Sequence, residues 1–161
     1  IKSIKCCFAS SYFLNSNHIL TACGDNQCGQ LGIKNKNIEK SGSIQVVLKQ
    51  TKTFDCGNLH IGCLTLKNKL YMFGYNTGYQ CGLYDMYPCH LGNEIILLNT
   101  DDVILDIKCG GFHNIIKTNN NNYYSFGSND NGKLLIENND DDQIHIPTKI
   151  SLKYLHSITK S

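Results

Sequence analysis

The chain has 161 residues, with 15 lysines and arginines against 13 aspartates and glutamates, a formal charge of +2. Every basic residue is Lys, so the bidentate guanidinium readers of phosphate and guanine are missing, and a nucleic-acid binder held by charge is disfavoured. With 41% hydrophobic and 17% charged residues the composition supports a packed core rather than disorder, and its longest apolar runs, Ile95 to Leu98 and Val103 to Leu105, fall far short of a membrane span.

From the N-terminus, the opening IKSIKCCFASSYFL lacks the ordered basic, apolar and small-residue regions of a targeting peptide. A turn-rich segment, GDNQCGQLG, runs from Gly24 to Gly32, and a strand is expected over Ile44 to Leu48. Leu64 to Leu66 and Leu70 to Phe73 flank Lys67 to Lys69 and read as a hairpin that ends at a second turn, GYNTGYQCG, from Gly74. Strands follow at Ile95 to Leu98 and Ile104 to Lys108. Ile115 to Lys117 and Tyr123 to Phe126 form another hairpin around Asn119 to Asn122, ending at GSNDNGKLL from Gly127. No window carries a helical stripe, and Pro is nearly absent.

These elements repeat. Cys6, Cys56 and Cys109 are 50 and 53 residues apart, and Gly24, Gly74 and Gly127 keep the same spacing. The second and third copies read CGNLH from Cys56 to His60 and CGGFH from Cys109 to His113, whereas the first reads CCFAS and lacks both the Gly and the His. All three later landmarks share Gly-x-Asn, but Gln30 and Gln80 become Lys133, and Gly32 and Gly82 become Leu135. About four strands per unit of roughly 50 residues describes a propeller blade.

Cys-Gly-x-x-His at a fixed distance before Gly-x-Asn-x-x-Gly-Gln-Leu-Gly resembles the regulator of chromosome condensation repeat family; Gly24 to Gly32 follows the second element throughout. The resemblance covers the whole chain and implies an all-β fold: three consecutive four-stranded blades of a propeller that normally has seven. The expected organisation is a single partial propeller over 1–161, with approximate repeats 1–50, 51–103 and 104–161. Three blades read as a piece of a longer protein, so closure needs the rest of the propeller or self-association.

Several motifs lose their chemical reading in this register. Gly127 to Lys133 has phosphate-loop spacing, but Leu134 stands where a magnesium-binding hydroxyl belongs, and the segment is the third copy of a repeat turn. Read as a calcium loop, it puts Gly127 at the first ligand position. Cys23 to Cys28, Cys56 to Cys63 and Cys81 to Cys89 give no CxxC pair for zinc. The nine cysteines, an odd number without an Asn-x-Ser/Thr sequon, read as reduced, mostly buried and intracellular, in a nuclear or cytoplasmic protein. His60 with Cys56 and His113 with Cys109 suggest a thiol and base, yet a catalytic pair needs to occur once. Recurrence favours His bonded to backbone at blade turns and Cys packed as a small hydrophobe.

Glu137, Asp140, Asp141 and Asp142, beside Asn138 and Asn139, read as a solvated loop, with an anionic edge for a basic partner as the functional alternative. Lys34, Lys36 and Lys40 follow the first turn and read as solubility lysines. No catalytic, metal or cofactor-binding residue is assigned, no cofactor is expected, and partner-contacting residues are not separable from solvated ones in one sequence. The resemblance implies a protein-binding scaffold rather than bond-making catalysis. Two roles stay open: a segment of a guanine-nucleotide exchange factor for a Ran-like small GTPase, or the substrate-recognition propeller of a large ubiquitin ligase, whose catalytic Cys domain would lie outside this chain. Chromatin binding, also known in the family, finds no support in the charge. An open three-blade arc exposes sheet faces meant for neighbours. The 18.0 kDa chain alone is therefore expected to be poorly stable or to self-associate, and a monodisperse, cooperatively melting monomer in light scattering would contradict this.

Overall fold

The computed structural model of the chain describes residues 1–33, 40–98, 100–136 and 141–151. Twelve strands form three four-stranded antiparallel sheets, each a meander. The first contains β1 (Ser3–Cys7), β2 (Ser10–Leu14), β3 (Leu20–Asp25) and β4 (Lys40–Leu48). The second contains β5 (Thr51–Cys56), β6 (His60–Thr65), β7 (Leu70–Gly74) and β8 (Cys89–Ile95); the third contains β9 (Ile104–Cys109), β10 (His113–Thr118), β11 (Tyr123–Ser128) and β12 (Gln143–Lys149). Among the described residues the helical structure is one short 3-10 turn, Asp130–Gly132, and no helix is long and apolar enough to cross a membrane.

The hairpins stand where the apolar runs and Asn/Lys turns place them, β6 with β7 and β10 with β11. The run Ile95 to Leu98 departs from expectation. Its strand, β8, lies earlier, over Cys89–Ile95 with Ile95 opposite Leu70, and Ile96 and Leu98 are exposed in the crossover to the third sheet. Outer strands pair on one side only, so their sequences need not be apolar, and neither β8 nor β12 announces itself.

Burial follows from stacking. β2 alternates, burying Ser10, Tyr12 and Leu14; β10 alternates with the opposite phase, burying Asn114, Ile116 and Thr118; β6 is buried at all six positions. The middle sheet is thus covered on both faces and the outer sheets on one each. One core joins Tyr12, Leu14, Leu20 and Val47 of the first sheet to Phe54, Ile61, Cys63 and Phe73 of the second. The other joins Leu64, Leu70, Met72 and Ile95 of the second to Ile107, Ile116, Tyr124 and Phe126 of the third.

The first strands of the three sheets are tied to one another. Asp55 on β5 is nearly buried; its Oδ1 meets Lys5 Nζ of β1, and its Oδ2 accepts the Cys109 N–H of β9 at 3.0 Å.

Each sheet turns over at a glycine that cannot be replaced without cost. Gly24, Gly74 and Gly127 have φ of +117°, +109° and +108°, and a Cβ there would fall on the carbonyl oxygens of Ala9, Leu59 and Phe112. Those carbonyls approach closely because each accepts the N–H after the glycine, from Asp25, Tyr75 and Ser128 at 2.8, 2.9 and 2.9 Å. Gly74→Ala is expected to destabilise by about 2–3 kcal/mol, combining backbone strain with the clash. Chemical denaturation of the two proteins measures it, and a change below about 0.5 kcal/mol would contradict the assignment.

Candidate partner-binding face

The meander puts the β1–β2, β5–β6 and β9–β10 loops and the three Gly-x-Asn segments at one end of the sheets. The asparagines build that end. Asn26 Oδ1 accepts the Leu31 N–H at 2.9 Å, Asn76 Oδ1 the Cys81 N–H at 2.8 Å, and Asn129 Oδ1 the Leu134 N–H at 3.1 Å. One side chain thereby closes the same turn three times, with its backbone carbonyl accepting from Gly29, Tyr79 and Gly132.

The glutamine of the motif adds a second brace. Gln30 Oε1 accepts the Cys28 N–H at 3.0 Å while its Nε2 donates to Asp25 at 2.7 Å. Gln80 repeats the first contact with Gly78 at 2.9 Å, but Tyr75 replaces the aspartate, and Gln80 Nε2 is buried without a hydrogen-bond partner among the described residues. In the third copy Lys133 takes this position and reaches Ser128 Oγ at 2.7 Å and Asp130 at 3.2 Å. Those are the contacts of the segment with phosphate-loop spacing; among the described residues no long helix follows it. Leu135 holds φ +55° where Gly32 and Gly82 stand, a strained replacement.

Rigid turns leave side chains on display. Phe8 is 87% exposed between β1 and β2, and in the long β7–β8 loop Tyr84 and Tyr87 are each 77% exposed, with Met86 and Asp85 between them also in solvent. Tyr84 lies 4.0 Å, centroid to centroid, from His145 on β12, which bridges the second and third sheets. Phe112, whose ring lies 6.3 Å from that of Tyr75, and Leu135 are also partly exposed in loops at this end. Aromatic residues anchored on stiff loops are the usual currency of protein interfaces. The sequence reading did not single out these residues; the signal was Tyr84-Asp-Met-Tyr87, four exposed-loop residues inside a repeat that elsewhere carries Gly and Asn.

Asp141 and Asp142 are exposed at this end, while Lys34, Lys36, Glu137, Asn138, Asn139 and Asp140 lie outside the described residues, as does the side chain of Lys40.

His60 behaves differently from expectation. His60 is buried and its Nε2 pairs at 2.9 Å with Asn114 Oδ1 of the next sheet, a side chain rather than a backbone group; Asn114 Nδ2 in turn donates to the Gln80 carbonyl at 2.8 Å. The ring of His60 lies over Gly57, and that of His113 over Gly110, so closely that a Cβ on either glycine would overlap it. This explains why Gly and His occur together. Cys109 donates Sγ–H to the Asp55 carbonyl at 3.4 Å. Cys56 is not reduced: it is disulfide-bonded to Cys7, 49 residues away, which corrects the reading of every cysteine as a thiol.

Residues 104–133 match the regulator of chromosome condensation (RCC1) repeat. That segment is one RCC1 repeat. The chain is 25% identical over 110 residues to human probable E3 ubiquitin-protein ligase HERC6, an overlap of 65% of this chain and 10% of that protein. Its fold is that of human WBSCR16, with a TM-score of 0.79, 18% identity, and coverage of 94% of this chain and 39% of that one. Yeast RCC1 (Prp20), solved with Kap60, gives a TM-score of 0.78 at 23% identity, with 92% of this chain and 37% of that one covered. The three sheets are three four-stranded blades of an RCC1-type propeller, and the chain spans about a tenth of the ligase and under two fifths of the propeller structures.

Burial drives the His60 pKa down from 6.5 to about 4, partly opposed by the bond to Asn114. A lowered folded value means that the unfolded chain takes up the proton first as pH falls. Stability contributed through His60 is intact above pH 6.5 and falls by about 3 kcal/mol between 6.5 and 4. Urea titrations across this range are expected to show that loss. His60→Ala lowers the melting temperature at pH 7.5, by stranding Asn114 and opening a cavity, and flattens the pH dependence. An unchanged melting temperature would remove His60 from the seam.

Proposed function

We propose that the chain is part of a protein-binding propeller, and within that class a segment of a guanine-nucleotide exchange factor for a Ran-like small GTPase. The observation that carries this reading is a fold shared over 92% of the chain with Prp20, whose binding to Gsp1p and histones has been described. Exchange needs no proton transfer or covalent intermediate. A factor that binds the nucleotide-free GTPase more tightly than the loaded form weakens nucleotide affinity by linkage, and rigid loops on one propeller face suffice. The exposed Tyr84, Met86 and Tyr87 supply such a surface beside the blade seam. In this reading the chain performs no bond-making chemistry, acts inside the cell, and takes proteins as partners; a net charge of +2 without Arg gives chromatin no added support.

The match to HERC6 favours a second reading, a recognition propeller in a ubiquitin ligase, where the covalent thioester step belongs to a separate domain. One pair of assays separates the two. As an exchange factor, the full-length protein at micromolar concentration accelerates fluorescent-nucleotide release from a Ran-like GTPase about tenfold or more, and Tyr84→Ala with Tyr87→Ala removes most of that gain. Unchanged release together with a thiol-sensitive ubiquitin adduct on the full-length protein would replace this reading with the ligase.

A further inference from the structure

Two seams join the three blades, and they are locked by different chemistry. At the second seam His60 of one blade pairs with Asn114 of the next, and Gly57 and Gly110 lie beneath the rings of His60 and His113. At the first seam the equivalent histidine is Ser10, which pairs in register with Gly24 as His60 does with Gly74. The position of Asn114 is held there by Ile61, since Cys56 opposes Ile61 as Cys109 opposes Asn114. The polar lock is therefore impossible at the first seam.

The same change makes room for sulfur. Cys7 stands opposite Ser10, at the place of Gly57 opposite His60 and Gly110 opposite His113. A Cβ is tolerated at Cys7 because no imidazole lies over it. Cys56, at the landmark position of the second blade, faces it across the seam, with Cα atoms 6.2 Å apart, within the span a disulfide bridges. At the second seam the corresponding pair is Gly57 and Cys109, so no second thiol is available.

We propose that Cys7 and Cys56 form a reversible redox latch that replaces, at the first seam, the histidine–asparagine lock of the second. Both residues are half-buried, packed at the margin of the core that joins the first two sheets rather than within it, so part of each stays open to solvent. A low-molecular-weight disulfide such as glutathione disulfide closes the latch. One cysteine thiolate attacks it, forming a protein–glutathione mixed disulfide and releasing one glutathione thiolate, which accepts a proton. The second cysteine thiolate then attacks the protein sulfur and expels the second glutathione. Two protein thiols are oxidised by two electrons, one glutathione disulfide is reduced to two thiols, and excess glutathione reverses both steps. Cys6, exposed on the opposite side of β1, is not part of the pair.

The test equilibrates the full-length protein in glutathione buffers from reducing to oxidising. Free thiols are trapped with iodoacetamide, cross-linked peptides are identified by mass spectrometry, and melting is followed in parallel. The Cys7–Cys56 linkage should appear as the buffer becomes oxidising and vanish on return, with a melting temperature about 5–10 °C higher when it is closed. Cys7→Ser and Cys56→Ser should each melt at the reduced wild-type value regardless of buffer, and Cys6→Ser should behave as wild type. Absence of that linkage at every poise, or its presence with no melting difference from Cys7→Ser, would overturn the proposal.

Discussion

A four-stranded antiparallel sheet of this kind has two faces and no core of its own, so each blade depends on the neighbour it packs against. The middle blade shows what that yields: β6 is buried at every position because Ile61 and Cys63 face one way while Gly62 and Leu64 face the other. Its two cores share no residue, yet one backbone carries both, so a shift in either seam moves the same strand. Asp55 adds a polar tie along the first strands, where its carboxylate serves a lysine of the preceding blade and a backbone amide of the following one. Removing it would strand two donors in different blades at once.

The loop face follows from that packing. Because the blades stack in register, the Ala9, Leu59 and Phe112 carbonyls occupy one repeated place, and each presses on a glycine that starts a Gly-x-Asn turn. An asparagine side chain then fixes the turn from within. This leaves the stem of the long β7–β8 loop rigid through Asn76, which bonds the Leu83 and Asp85 carbonyls, while Tyr84 and Tyr87 project from it. Function can vary at such tips without disturbing the fold, which is how a scaffold acquires different partners.

Local chemistry was legible in the sequence and the seams were not. Gly-x-Asn marks a turn because positive φ and an Asx hydrogen bond are properties of a few adjacent residues, and the β6–β7 and β10–β11 hairpins follow from runs beside short polar turns. The His60–Asn114 and Cys7–Cys56 pairs join residues about a blade apart, and nothing in either short segment names its partner. A trace was present nonetheless. The first copy lost Gly and His together, and two positions that change jointly are constrained by one space; the ring of His60 over Gly57 is that constraint. The aromatic tip from Tyr84 to Tyr87 stayed unassigned because exposure depends on where the loop leaves the blade, not on its composition.

The same repeat comparison distinguishes the two outer faces. On the first blade Ile4, Phe13, Thr21 and Val46 form one row across the sheet, with Ile4 and Val46 more than half exposed, and their counterparts in the next two blades include Phe54, Cys63, Ile107 and Ile116, all buried in seams. That face is built to meet another blade. The far face of the third blade is not its complement, since Lys117 stands where Leu14 and Leu64 are fully buried and Ser125 where Ala22 and Met72 are. Stacking a second copy of the chain head to tail would carry the Lys117 ammonium into an apolar seam, at a desolvation cost of several kcal/mol unless a carboxylate met it. The row around Ile4 and Phe13 offers none. A blade of different sequence, with an acidic group opposite Lys117, fits that face better than a copy of the first blade does.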